Sequence, residues 1–507
     1  MPMVLNLTPL QNFDNNPTVV KAVAEDLDFL NTILTEYLGS EKLKKFIEAD
    51  KYYRNSNTKI KEKTRYVAID GRKEILTNLS NTQAAHAFMK KLVNQKASYL
   101  LGKPFSIDST QEGLAKKLDG LFNKAFFRKL LKVGKDAIKY GIGWVQVYYD
   151  ENGELDLKRI PPTEIIPFWE DVDHTSLQAL MRTYVIDIYH EDGTKTKLRK
   201  VEYYDKTGVY YFEVSKDNKL VPDTDRNIFS GHFSLEKTRK ILDKENGEKE
   251  EKYEEQTNWL RIPFIAFKAN DEELGILTFI KDLIDDYDKN VSDISDQLQD
   301  VPNALKVIKG YSGENKEDFA HNINVYRTIF IESDGDVSTI QTSIDIQAID
   351  SHLNRLRQDI YDFGGGVDSQ KETQNIASGV ALKFKYADLD LDAKFMATEF
   401  SASMESLLWF ICSDLSARGK GDYNPEEVNI VWNMDMAIAE NEVIDNIIKS
   451  MPILSKETLV AQHPWVEDVN IEMEKMKKQE EQEQNEFGNI DEGVSSNSPD
   501  NNEEEEE

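Results

Sequence analysis

The sequence predicts an α+β chain, predominantly helical, and three observations predict it. Apolar residues recur at the three-and-four spacing of amphipathic helices before residue 140 and again after residue 270. Between about 142 and 267 the period shortens to strand-like alternation, punctuated by turn pairs such as Asp192-Gly193. A length of 507 with 39% hydrophobic residues is enough for true cores, and for about three or four structural units.

Taken in order, Asp14 to Phe46 reads as helix from Val20, Val23, Leu27, Leu30, Leu34 and Leu38, and helix continues through Ser80 to Leu101 and Gly113 to Lys139. Trp144 to Tyr149, the turn Asp150-Glu-Asn-Gly153 and Leu155 to Ile160 form a hairpin. Tyr184 to Tyr189, Lys197 to Tyr204 and Tyr210 to Val214 are further strands, with Lys206-Thr207-Gly208 as a second turn. The charged run Glu236 to Glu255 is a surface excursion, and Leu260 to Phe267 returns as strand. No internal repeat is present.

The next helix has two distinct edges. Leu277, Ile280, Ile284, Tyr287, Val291, Ile294 and Leu298 keep to one stripe, while Asp282, Asp285, Asp286, Asp293 and Asp296 project from the other side, with Asp288 on the flank. Pro302 closes the helix; short strands at Ala304 to Ile308 and Thr328 to Ile331 flank a helix at Lys316 to Val325. From Asp345 to Phe363 a second helix repeats the spacing with Ile346, Ile349, Leu353, Leu356 and Ile360. By periodicity alone this is a helical hairpin with a solvated acidic face. Then come Gly364, Gly365 and Gly366, Val367, Asp368, Ser369, Gln370, Lys371, Glu372, Thr373 and Gln374, a polar tether that cannot comfortably stay helical, since each glycine costs about 1 kcal/mol there. It is no phosphate cradle, because Gly-x4-Gly-Lys-Ser/Thr occurs nowhere in the chain. Helix restarts at Asn375 to Leu382 and runs on through Phe395, Phe400, Leu407, Leu408 and Ile411.

A net charge of -30 argues against general adhesion to DNA. Fourteen acidic and three basic residues from Glu472 to Glu507 supply over a third of it, and the tail beyond about Gln484 is too polar to bury a core and is expected to be disordered. Lys51 to Lys103 reverses the bias, with twelve basic residues against Glu62, Asp70 and Glu74; a solvated surface and a contact with DNA, scaffold or shell proteins both fit it. Cys412, the one cysteine, excludes an intrachain disulfide and reads as a buried small hydrophobe. No eighteen-residue apolar stretch occurs, and Met1-Pro-Met-Val-Leu-Asn-Leu-Thr lacks the basic start of a signal peptide, so assembly in the cytoplasm is expected.

Several motifs stand in one order along the chain: Ile47-Glu-Ala-Asp-Lys-Tyr-Tyr-Arg54, Val93-Asn-Gln-Lys-Ala-Ser-Tyr-Leu-Leu-Gly-Lys-Pro-Phe105, Tyr140-Gly-Ile-Gly-Trp144, Ile160-Pro-Pro-Thr-Glu-Ile-Ile166, Ile262-Pro263-Phe264, Ser378-Gly-Val-Ala-Leu-Lys383, and Leu454-Ser-Lys-Glu-Thr-Leu459 before His463-Pro464-Trp465. In these the chain resembles the portal proteins of tailed double-stranded DNA bacteriophages, in the branch of long-tailed phages of Gram-positive hosts. The resemblance implies a homo-oligomeric ring, usually of twelve, with wing, two-helix stem, clip and helical crown, through which double-stranded DNA is packaged and ejected. By order, the wing covers 1–270 with its β-rich middle at about 142–267, the first stem helix 271–299, the clip 300–344, the second stem helix 345–363, the tunnel loop 364–376, a long wing helix 377–421, the crown 422–483 and an acidic tail 484–507. Asp282, Asp285, Asp286, Asp293 and Asp296 would line the channel as a surface that repels phosphates and lets DNA slide. Gly364 to Gln374 would approach the DNA, with Lys371 as a transient phosphate contact. Implied partners are the terminase large subunit, which would hydrolyse ATP, a head-tail adaptor, and the major capsid and scaffold proteins, all at the portal vertex of the virion and none in a membrane.

Two other classes compete. Clustered carboxylates at Asp282 to Asp288 are what a two-metal nuclease would need, but they lie along one helix and the seven histidines are scattered singly, so neither catalytic residues, metal ligands nor a cofactor are expected. Another capsid-associated protein without a DNA channel, such as a scaffold or adaptor, fits less well with the β-rich middle.

Overall fold

The structure, a computed structural model, describes residues 26–69, 72–77, 79–111, 113–243, 247–300, 305–309, 336–340, 345–372, 384–434, 440–466 and 469–491. The chain divides into two compact units, one made of Met1–Asp368 with Asp388–Asp435, the other of Ser369–Ala387 with Met436–Glu507.

In the larger unit, α1 (Leu27–Gly39) and α2 (Glu41–Tyr53) replace the single helix that apolar spacing predicts up to Phe46. Ser40 makes the break: its backbone is extended, and its hydroxyl accepts the Leu43 N–H at 3.2 Å, so one residue ends α1 and caps α2. The apolar face of α1, with Leu30, Ile33, Leu34 and Tyr37, packs on an antiparallel sheet whose strands lie in the order 220–222, 208–214, 195–205, 177–189, 165–169. Ile166, Phe168, Met181, Val201, Tyr203 and Phe212 supply the sheet's side of that core.

After α3 (Thr58–Lys61), α4 (Phe88–Leu101) and α5 (Leu114–Leu121) comes α6 (Lys124–Tyr140), which packs against a second sheet of Phe264–Lys268, Ile142–Tyr149 and Leu155–Ile160. Helix begins at Phe88 and not at Ser80, and Asn123 splits the predicted 113–139 helix by capping α6 through the N–H groups of Ala125 and Phe126. The run read as a surface excursion is a hairpin of Phe233–Asp243 with Gly247–Thr257, whose register sets Arg239 opposite Glu251 and Lys240 opposite Glu250.

The long helix α7 (Leu277–Asp300) starts where α6 ends. Ile276 N–H donates to the Ile138 carbonyl at 2.9 Å and Ala269 N–H to that of Gly141 at 2.9 Å. Gly141 turns at φ +88°, and a Cβ there would collide with the Glu273 carbonyl. Glu273, itself at φ +56°, buries its carboxylate 2.6 Å from His174 Nδ1, and the imidazole stacks on Trp169 at 4.8 Å. A second helix, α8 (Ile346–Phe363), packs along α7 with its N-cap at Asp345, whose carboxylate accepts the Ala348 N–H at 3.0 Å. Between them the described residues comprise one antiparallel pair, Leu305–Lys309 with Asp336–Ile340. The predicted strand Thr328 to Ile331 and helix Lys316 to Val325 lie outside the described residues.

Helix α9 (Ala387–Ala417) is buried along much of its length, with Phe400 against Phe267 at 5.1 Å and Ser403 donating to the Ala266 carbonyl at 2.7 Å. Cys412 is buried in it, and burial, with the Asp422 charge adding, pushes its thiol pKa up. In the smaller unit, α10 (Glu440–Ser450), α11 (Lys456–Ala461) and α12 (Val469–Asp491) follow one another, and Lys456 pairs with Glu480 at 2.5 Å. α12 continues past Gln484, where composition alone predicts that order ends; residues 492–507 lie outside the described residues.

Because Gly141 is both left-handed and in contact with the Glu273 backbone, Gly141→Ala should destabilise the chain by about 2 kcal/mol or more, read as a lowered thermal midpoint.

Candidate functional site

The acidic edge of α7 is the feature around which the surrounding chain is organised. Residues 79–87 form neither helix nor strand, and from Ser80 to His86 they run beside it antiparallel to the helix. Four helix side chains, one per turn, each accept a backbone N–H from every second residue of this strap. Asp288 Oδ1 takes the His86 N–H at 3.0 Å, Ser292 Oγ that of Ala84 at 3.1 Å, Asp296 Oδ1 that of Thr82 at 2.6 Å, and Asp300 Oδ1 that of Ser80 at 3.2 Å. The pairing works because four helical residues rise about 6.0 Å and two extended residues about 6.6 Å. Strap N–H groups that would pair in a sheet pair here with side chains.

The strap's carbonyls on the same side meet cations that also hold the acids. Arg65 donates to the Ser80 carbonyl at 2.8 Å and pairs with Asp300; Lys63 reaches Asp296 at 2.7 Å and Asp293 at 2.8 Å. Asn57 donates to Asp288 at 2.5 Å, and His86 Nδ1 lies 2.7 Å from the same carboxylate, which is fully buried. Tyr52 and Lys281 hold Asp285, the latter at 2.8 Å. Burial alone would raise the carboxyl pKa values of Asp296 and Asp300, but the hydrogen bonds from Lys63 and Arg65, and those from Thr82 and Ser80, outweigh it and hold both below the usual aspartate value.

These contacts revise two readings made from sequence. Asp288 and Asp296 are buried, and Asp285 and Asp293 are engaged within the chain, so the edge is not one uniform solvated face. Asp282 is exposed, and Asp286 is half-exposed, bonded to Asn290 at 2.9 Å with His352 Nε2 at 3.4 Å. The basic run from Lys51 to Lys103 is in part spent on these acids through Lys63 and Arg65, and on Asp392 through Lys96. The apolar stripe of α7 is buried at Leu277, Ile280 and Ile284 but emerges at Leu298, which is 61% exposed.

The glycine segment after α8 is held at its start. Gly364 N–H donates to the Ile360 carbonyl at 3.0 Å, and Gly365 takes φ +57°. Gln95 clasps Val367 through both amide atoms, accepting its N–H at 2.9 Å and donating to its carbonyl at 3.2 Å. Asp368 is buried and accepts two bonds from Arg357, at 2.6 and 2.7 Å, a bidentate pair. Gly364 to Asp368 are thus docked, which the reading of a free tether did not anticipate. Ser369–Glu372, including Gln370 and Lys371, form a 3-10 turn, while Thr373, Gln374 and the Ser378 to Lys383 motif lie outside the described residues.

One carboxylate group invisible to sequence spacing is Glu213, Asp223 and Asp225. A cation already sits among them: Lys200 Nζ lies 2.8, 2.8 and 3.0 Å from the three. Among the described residues no helix is long and apolar enough to cross a membrane.

A β-rich body is followed by two packed helices that bracket a β pair, and then by a docked glycine segment. Residues 36–486 match the family "Phage portal protein, SPP1 Gp6-like", and the chain belongs to that family of phage portal proteins, the connectors through which phage DNA is packaged. It is 27% identical over 479 residues to the portal protein of Bacillus phage SPP1, covering 94% of this chain and 90% of that one. To the portal protein of Clostridium phage phiCD119 it is 28% identical over 445 residues, covering 85% and 91%. A portal protein of the HK97 family from Corynebacterium diphtheriae is 12% identical, with 68% of this chain and 90% of that one covered at a TM-score of 0.34.

If the ladder holds the strap, Asp296→Ala, which leaves Lys63 without its buried partner, should cost about 3 kcal/mol and speed amide exchange at 80–86. The depressed pKa values of Asp296 and Asp300 mean that their contribution is complete above the ordinary aspartate value of 3.8 and is lost as pH falls through the lower folded-state values; amide exchange at Ser80 and Thr82 should therefore accelerate only below about pH 4.

Proposed function

We propose that copies of this chain assemble into a ring of twelve that forms the channel at one capsid vertex, with α7 and α8 as its stem, the β pair between them as part of its clip, and 364–376 as its tunnel loop. The observation that carries this is the order of parts within a family of portal proteins: two packed helices, the intervening β pair, and a glycine segment anchored at Asp368 whose remainder begins at Ser369. Residues 1–270 and 377–421 form the wing, and 422–483 the crown.

Of the five aspartates expected in the lumen, Asp282 is exposed, and Asp286 and Asp293 are half-exposed, Asp293 with Lys63 beside it; Asp282 and Asp286, which no lysine pairs among the described residues, are the strongest candidates to face DNA. Asp285 and the buried Asp296 lie behind them, and Asp285, Asp293 and Asp296 are largely neutralised by Lys281 and Lys63. A weakly negative wall suits translocation, since binding to phosphates would resist each step while repulsion across a few ångströms keeps the duplex centred. Lys371 in the loop makes a transient phosphate contact. The channel itself performs no catalysis; ATP hydrolysis belongs to the terminase large subunit, which with a head-tail adaptor, the major capsid protein and scaffold makes up its partners. Assembly takes place in the host cytoplasm and the finished ring resides in the virion.

Negative-stain images of the purified chain should show rings with a central hole; a monomer under all conditions, scaffold or shell protein included, would sink this reading. Reversing Asp282 and Asp286 to lysine should leave rings intact and slow packaging severalfold, and an unchanged packaging rate would remove these two residues from the lumen.

A further inference from the structure

We infer that the outward face of α6 is a phosphate-backbone contact for duplex DNA, separate from the channel. The inference rests on the portal reading for the presence of DNA but on its own residues for the contact. Lys124, Arg128, Lys132 and Lys135 are spaced four, four and three, so they fall within an arc of about 80° and along about 16 Å of one helix face. The first three are exposed and Lys135 is half-buried. The carboxylates that bond to cations of this helix, Asp156 at 2.5 Å from Lys129, and Asp50 and Asp136 at 3.5 and 3.4 Å from Lys139, engage none of these four. In a chain of net charge -30, whose other basic run is partly neutralised by α7 and Asp392, this row is unpaired among the described residues.

Beside the row lies a recess of about 560 Å³ whose lining includes Lys129, Lys132, Lys158 and Arg159. Lys129 is held by Asp156 and Arg159 by Asp136, while Lys132 and Lys158 bring unpaired ammonium groups to it. Lys158 is exposed on the strand Leu155–Ile160, so the positive surface continues from the helix onto the sheet that packs beneath it.

The chemistry favours a phosphate backbone over a protein. A protein partner needs a buried aromatic or aliphatic anchor; between these cations the one exposed apolar position on α6 is Ala125, while Phe127 is packed against Phe105 at 5.1 Å and Leu131 is half-buried. Duplex DNA presents one charge per about 1.7 Å of its axis and is bound by charge neutralisation alone. The rest of the chain's negative charge does not prevent this, because at physiological salt its field is screened beyond about 8 Å. The contact is therefore short-ranged, sequence-independent and steeply weakened by salt.

The test is fluorescence anisotropy of a labelled duplex of about 30 bp titrated with the full chain between about 50 and 200 mM NaCl, with ring formation followed separately by electron microscopy. Wild type should bind with a log-log salt slope near -3 to -4, at about -0.9 per phosphate contacted. The combined variant K124Q/R128Q/K132Q/K135Q should lose about tenfold or more in affinity and most of that slope, while K124R/K132R/K135R, which keeps the charge, should bind as wild type does. No binding by wild type, or unchanged affinity and slope in the glutamine variant with its circular dichroism intact, overturns the inference. Equal or tighter binding of a peptide of residues 492–507, the acidic end of the chain, would overturn DNA as the ligand. Absence of rings with duplex binding intact would instead count against the channel and leave this surface standing.

Discussion

The pairing of strap 79–87 with the acidic edge of α7 is the constraint on which much of the larger unit depends. Carboxylates at three of four positions spaced four apart, Asp288, Asp296 and Asp300, would bring like charges together on an isolated helix, which is unfavourable. Here each of the three accepts a backbone N–H, as Ser292 does between them, and Asn57, Lys63 and Arg65 come from the preceding segment to hold Asp288, Asp296 and Asp300 in turn. The helix thereby tolerates its acids, and the strap acquires partners without belonging to any sheet. Both outcomes follow from one repeat, Asp288, Ser292, Asp296, Asp300.

The same repeat explains what could and could not be read from the amino acids. Helices α7 and α8 were legible because their apolar residues recur at helical spacing, and the hairpin at Trp144 because strand alternation frames the turn Asp150-Glu-Asn-Gly153. The strap was not legible. Its apolar content, Ala84, Ala85 and Phe88 leading into Met89, blends into the pattern of α4, and nothing local says that helix waits until Phe88. Its course is set by acceptors some two hundred residues away, a long-range partner that periodicity cannot register. Opposite charge in 51–103 and in α7 was visible as composition; that Lys63 and Arg65 answer Asp296 and Asp300 required the fold.

The glycine segment shows a similar division. Its three glycines ended α8 as expected, and Gly365 uses the left-handed conformation that they permit. Its anchoring came from Gln95, which both accepts from and donates to Val367, and from Arg357, one helical turn before Ile360. A side-chain amide that imitates a strand edge for one residue leaves no mark in sequence spacing. The effect is to divide the segment into a fixed portion up to Asp368 and a continuation that begins in the other compact unit.

The rungs of the α7 ladder also behave as a vernier. Helix and strap advance by about 6.0 and 6.6 Å per rung, so their mismatch grows by about 0.6 Å each time and approaches 2 Å over the span from Asp288 to Asp300. A scale with two such graduations can coincide over only a few marks, which limits the length of strap that a straight helix can carry. It also makes the arrangement sensitive to parity: removing two strap residues slides it by one graduation, whereas removing one turns every N–H on that edge away from the helix.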